Sequence, residues 1–199
     1  MTAKLTLDDI ADLRAYERER EEFRARIIEL KKLRRVHLGP IVTVVFENRD
    51  TIRFQVQEMA RAERMLTDEA IQHELDTYNP LVPGSDELTA TMFIELTSKA
   101  ALMDWLPKLV GVEQSIELQI GEGDGADVVR STPDDAHAAQ LTREEITASV
   151  HYIRFQLTPA HADRLVAGPV WLAVDHPAYR EATELSAATR ASLAGDLRA

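Results

Sequence analysis

The sequence predicts an α+β fold: a mainly antiparallel sheet of six to seven strands, clothed by a long N-terminal helix, a C-terminal helix and helices between strands. Three observations predict it. Apolar residues recur every three to four positions near both ends of the chain. Most of the short β-branched runs between them alternate apolar with polar residues, as half-buried strands do. At least one pair of runs lies close enough for a hairpin, which favours antiparallel pairing over a doubly wound parallel sheet.

Ile10, Leu13, Phe23, Ile27, Leu30 and Leu33 fall at helical spacing, so residues 7–35 are expected to form one long helix, or two with a break near Ala15. Thr6 is an N-cap candidate, with Asp8 and Asp9 where the helix dipole favours anions. Charged pairs four apart, Arg18–Glu22 and Glu22–Arg26, support a solvated middle. KKLRR (31–35) sets four cations on the last turn, complementing the dipole. Gly39 and Pro40 then break the chain. IVTVVF (41–46) reads as a strand, ENRD as a turn, and TIRFQVQ (51–57) as the returning strand of a hairpin. Its alternation puts Ile52, Phe54 and Val56 on one face, and Arg53, Gln55 and Gln57 on the other. Helix is expected over 58–77, with a break at Leu66–Thr67 where Thr67, Asp68 and Glu69 signal a new start.

Residues 78–87 carry two prolines and a glycine and read as a loop, followed by a strand at 90–96. Ser98 caps a helix that Pro107 bends or ends. VEQSIELQI (112–120) alternates cleanly as a strand, GEGDGAD (121–127) is an acidic turn, and VVRS is a short strand. TPDDAHAAQLTREEI holds short helical turns. SVHYIRFQL (149–157) is a strand. TPAHADRLVAG begins a helix with a threonine cap and proline at its first position. PVWLAV (169–174), apolar on both faces, suits a central strand, and the C-terminal helix is expected over 178–197.

Composition limits function. The net charge of −11, from 34 acidic and 23 basic residues, opposes polyanions, so nucleic acid and anionic membranes are not expected as partners. The absence of cysteine excludes disulfides, a cysteine nucleophile and thiolate-held iron–sulfur clusters. MTAKLTLDDI has no apolar signal-peptide core, and no apolar run reaches the ~18 residues of a membrane helix. A cytoplasmic protein forming a single domain over 1–199 is the expectation.

Chemistry-bearing patterns are few. Glu69, His73 and Asp76 share a helix face, but Glu-x-x-His and HExxH spacings are absent, so no metal is expected, and no cofactor. Asp134 and His137 fall in a polar loop. GEGDGAD lacks the following helix of a phosphate loop, and its own carboxylates repel phosphate. No G-x-S-x-G elbow occurs. Trp105 and Trp171 sit in apolar runs and read as core.

The polar row Arg53, Gln55, Gln57 admits three readings. It faces water; it forms a cradle for a carboxylate- or amide-bearing ligand; or the N-terminal helix covers it with an ion-pair network. The water-facing reading is favoured. If the row is a site, Glu58 is its general base and Arg53 its anion clamp, with Tyr78, Asn79, His151 and Arg154 from neighbouring elements.

The blocks VVFENRDTIRFQVQEMARAERM (44–65), LDTYNPLVPGSDELTATMFIE (75–95), SVHYIRFQL (149–157) and VWLAVDHPAYREATELSAATRASLAGDL (170–197) resemble, in order and over nearly the whole chain, a family of uncharacterised bacterial proteins. Its members tend to be encoded beside rubrerythrin-like and iron–sulfur oxidoreductase proteins. The resemblance implies a bacterial protein in a redox or oxidative-stress setting and supplies no catalytic residues. The first expectation is therefore a non-catalytic accessory or binding protein that docks a protein partner of a redox system. The alternative is an enzyme or small-ligand binder with a polar site on the 51–58 strand. A homodimer is possible, though not as a coiled coil, because residues 17–22 interrupt any heptad seam.

Overall fold

A computed structural model describes residues 3–134 and 146–198. The expected helical turns over 135–145, and His137 with them, lie outside the described residues. The α+β expectation holds: six α-helices and nine strands lie among the described residues, and the strands form two antiparallel sheets. The order in the first sheet is β1 (Arg35–Leu38), β2 (Val42–Phe46), β3 (Glu87–Ile94), β7 (Val150–Gln156), β6 (Thr132–Pro133). In the second it is β5 (Asp127–Arg130), β4 (Ile116–Ile120), β8 (Val170–His176), β9 (Tyr179–Glu184).

The sheets share one core. Val42, Val44, Phe46, Leu88, Ala90 and Met92 from the first meet Ile116, Leu118, Ile120, Leu172 and Val174 from the second. Phe46 and Phe155 pack with ring centroids 6.0 Å apart. Two helices, α5 (Pro159–Ala167) and α6 (Ala187–Asp196), add Leu165 and Leu193 to the same core. Alternation then sends Thr43, Val45, Thr91, Phe93, Val150 and Tyr152 to the other face of the five-stranded sheet. That face is covered by α1 (Leu13–Arg34), α2 (Arg49–Ala62) and α3 (Asp68–Tyr78), whose Ile52, Val56 and Leu75 pack with Tyr152.

Several expected elements form for the expected reasons. Thr67, Ser98 and Thr158 each accept a backbone N–H at the start of α3, α4 (Lys99–Trp105) and α5. The N-terminal helix breaks slightly before Ala15: a 3₁₀ turn at Leu7–Asp9 precedes α1, which Asp12 caps.

Three expectations fail. Residues 51–57 are not a strand but the interior of α2. Asn48 accepts from Thr51 N at 3.0 Å while Thr51 Oγ1 accepts from Asn48 N at 2.9 Å, a reciprocal cap that starts a helix. Ile52 and Val56, four apart, satisfy a helical stripe as well as an alternating strand, and Ala60 extends that stripe. The hairpin partner of β2 is instead β1, in RVHL, joined through Gly39 at φ +62°. A Cβ on Gly39 would meet the Tyr179 hydroxyl at 2.5 Å, so glycine is required twice over. Residues 112–114 form a 3₁₀ turn ahead of β4. Residues 179–184 form β9 rather than helix, because pairing with the apolar β8 overrides the helical propensity of REATE. The C-terminal helix starts only at Ala187, capped by Ser186. No described helix is long and apolar enough to cross a membrane.

Candidate functional site: a cavity between the helical layer and the five-stranded sheet

Arg53 and Gln57 of the polar row are covered by the N-terminal segment, and their network joins the helical layer to the N-terminal segment rather than helix to sheet. Arg53 Nε donates to Asp9 O at 2.7 Å, and its guanidinium lies 5.0 Å over the Phe23 ring. Gln57, wholly buried, donates to Ala11 O at 2.8 Å and accepts from Ala11 N at 3.0 Å. Glu58 is gripped by Arg20 through two hydrogen bonds of 2.8 Å and by the Tyr16 hydroxyl at 2.6 Å. The Arg20 bond, foremost, holds the Glu58 carboxyl below the usual range, which suits an anchor and not a general base. Burial and this carboxylate push the Tyr16 hydroxyl well up.

The outlying candidates are also committed. Asn79 repeats the Gln57 arrangement on Leu5, donating to its O at 2.9 Å and accepting from its N at 2.8 Å. Arg154 pairs with Glu87 at 3.3 Å and with Asp134. His151 is buried on the inner side of its sheet, with Nε2 2.8 Å from Thr147 Oγ1 and 2.9 Å from Ala148 O. Burial lowers its pKa, while the Glu113 charge opposes that shift. Glu69, His73 and Asp76 lie on α3, and among the described residues no three His, Asp or Glu side chains gather as metal ligands. Only Gln55 and Tyr78 of the expected site residues come together, and they do so around a cavity.

That cavity, of about 160 Å³, lies between the outer face of the five-stranded sheet and α1–α3. Its polar lining is Lys31, Glu47, Gln55, Tyr78, Thr91 and Tyr152. Ile52, Leu81, Phe93 and Val150 supply the apolar part.

Glu47 is the centre of the arrangement. Its backbone is fixed on both sides: its N–H donates to Thr89 O at 2.8 Å, and its carbonyl accepts from Arg34 Nη2 at 3.0 Å. Arg34, 1% exposed, also donates to Phe46 O at 3.0 Å and Ser192 Oγ at 2.9 Å, and pairs with Asp196. The Glu47 side chain is 7% exposed. Oε1 accepts from Thr91 Oγ1 at 2.7 Å. Oε2 is buried and has no hydrogen-bond partner among the described residues. Lys31 Nζ stands 3.9 Å from it, within ion-pair range but beyond hydrogen-bond reach. Burial, the neighbouring Tyr78 and the Glu47 charge raise the pKa of Tyr152, whose hydroxyl therefore keeps its proton at neutral pH. A buried oxygen with unused acceptor capacity is costly and calls for a partner, whether a water, an ion or a ligand.

The sequence held a partial signal for Glu47. It continues the Thr43–Val45 alternation one step past β2, onto the face that the helices cover. Read as a turn residue it drew no attention, and Lys31 read as dipole complementation.

A family model described as a protein of unknown function, DUF3501, matches residues 4–197. The chain belongs to the DUF3501 family. Its fold is similar to that of a novel protein of unknown function from Burkholderia pseudomallei K96243, known from a crystal structure, with 36% sequence identity and a TM-score of 0.87. The match covers 98% of this chain and 99% of that one, so the two-sheet architecture with its helical layer is shared from end to end. No curated protein matches the chain. The DUF3501 match agrees with the resemblance to an uncharacterised family carried by the blocks at 44–65, 75–95, 149–157 and 170–197.

Proposed function

We propose that this DUF3501 protein is a small-molecule-binding protein, and that its site is the cavity around Glu47, to which residues 51–58 contribute only Ile52 and Gln55. The observation that carries this reading is the buried Glu47 Oε2, without a hydrogen-bond partner among the described residues, beside a cavity lined by Gln55, Tyr78 and Tyr152. A ligand with one donor group satisfies that oxygen, and Ile52, Leu81 and Phe93 take its apolar part. The test is a titration of isotope-labelled protein with a fragment library, followed by amide shifts. Saturable shifts confined to Thr91, Tyr152 and their neighbours support the reading. A library that moves no amide in this region, while the protein stays folded, overturns it.

A second observation favours partner docking, the role expected of an accessory protein in a redox or oxidative-stress system. Beside the cavity, a groove of about 590 Å³ is lined by Arg24, Lys31, Lys32 and Arg35 together with the apolar Ile27, Ile28 and Phe54. In a chain of net charge −11, this local cationic wall suits an acidic partner surface. Charge reversal at Arg24 and Lys32 should then weaken binding to an acidic peptide array; unchanged binding removes the support.

A further inference from the structure

We infer that the cavity's ligand is a small organic ammonium, and that Lys31 is the internal cation it displaces. This rests on the small-molecule reading above and names the ligand's class.

Among the described residues Glu47 is the one carboxylate in the cavity lining, and its charge is matched only loosely. Lys31 Nζ at 3.9 Å offsets that charge without donating a hydrogen bond. A resident partner at full hydrogen-bond distance would be hard to remove; this one forfeits little on leaving. The Lys31 side chain is 31% exposed and lines both the cavity and the groove beside it, so it has somewhere to go. The groove, however, also carries Arg24, Lys32 and Arg35. Lys32 and Arg35 are themselves paired with Glu29 and Glu95, so it is the Glu47 charge that keeps Lys31 beside it until another cation takes its place. Exchange of cation for cation leaves the buried charge balanced, whereas a neutral ligand displacing Lys31 strands the carboxylate.

The rest of the lining suits the same class. Tyr78, Phe93 and Tyr152 bring three aromatic rings to one cavity. Aromatic side chains attract cations through the negative faces of their rings, most strongly where water is displaced. The volume of about 160 Å³ is close to that of an engineered apolar cavity which takes benzene, so a ligand of about six non-hydrogen atoms fits.

The test uses three probes of one size: isobutylammonium chloride, isobutanol and sodium isobutyrate, titrated in phosphate buffer and followed by the amides of Thr91 and Tyr152. Isobutylammonium should bind saturably and the other two should not. Lys31→Met should tighten isobutylammonium binding about fivefold, the factor a half-exposed ion pair concedes. Glu47→Gln should abolish it. Isobutanol binding as well as the ammonium, or an unchanged Kd in Lys31→Met, overturns the ammonium assignment and leaves the cavity reading standing. If none of the three probes nor any fragment shifts these amides, both fall.

Discussion

Replacing Glu47 by glutamine should make the protein more stable. The substitution keeps the shape and keeps an oxygen for the Thr91 hydroxyl, now 2.7 Å from Oε1, but removes a charge from a side chain 7% exposed. Three effects compete. Thr91 loses a charge-assisted bond and keeps a neutral one, at a cost of about 1 kcal/mol. The Lys31 pair, 3.9 Å long and part-exposed, is lost at a cost of at most about 1 kcal/mol. Against these stands the desolvation of a carboxylate, an effective penalty of several kcal/mol per ion, which Oε2 does not recover through any hydrogen bond to the described residues. The balance is a gain of about 1 kcal/mol, or a Tm higher by about 2–4 °C for a chain of this length. Urea unfolding monitored by circular dichroism reads it as a raised midpoint at constant slope. A loss above about 1 kcal/mol would show that Glu47 is a structural anchor like Glu58, and would refute the assignment of the cavity as a site. A gain in stability matched by lost ligand binding is the pattern expected where a residue is kept for function.

Two more perturbations test the frame around the cavity. Gln57→Ala removes both hydrogen bonds to Ala11 and should cost about 2–4 kcal/mol, since two part-buried backbone groups lose their partners; hydrogen exchange should accelerate first at Ala11 and the start of α1. His151 has a folded pKa depressed below 6.5, mainly by burial, so the unfolded chain binds its proton first. Its contribution is therefore complete above about pH 6.5 and declines as pH falls toward the folded value. His151→Gln should flatten the fall in urea midpoint between pH 7 and pH 5; an unchanged slope assigns that fall to other groups.

Much of the fold can be read from the residues. Caps at Thr67, Ser98 and Thr158 announce their helices, and the alternation of 149–157 announces β7. The error at 51–57 has a definite origin: residues four apart share a face in a strand and lie on one side of a helix, so Ile52 and Val56 cannot discriminate. Asn48 and Thr51 could have done so, because their spacing is that of a reciprocal cap. β9 was hidden for a different reason, being a polar edge strand fixed by its neighbour rather than by its own side chains. The cavity was hidden almost completely. Glu47, Lys31, Tyr78 and Tyr152 belong to separate elements and meet only when α1–α3 lie over the sheet.

Arg34 ends the first long helix, yet its partner Asp196 stands 162 positions further along. During synthesis the carbonyl acceptors of Arg34 at Phe46 and Glu47 follow it closely, whereas the Asp196 charge comes much later. The ion pair that ties the end of α1 to α6 therefore forms late, after every residue in the cavity lining has been made.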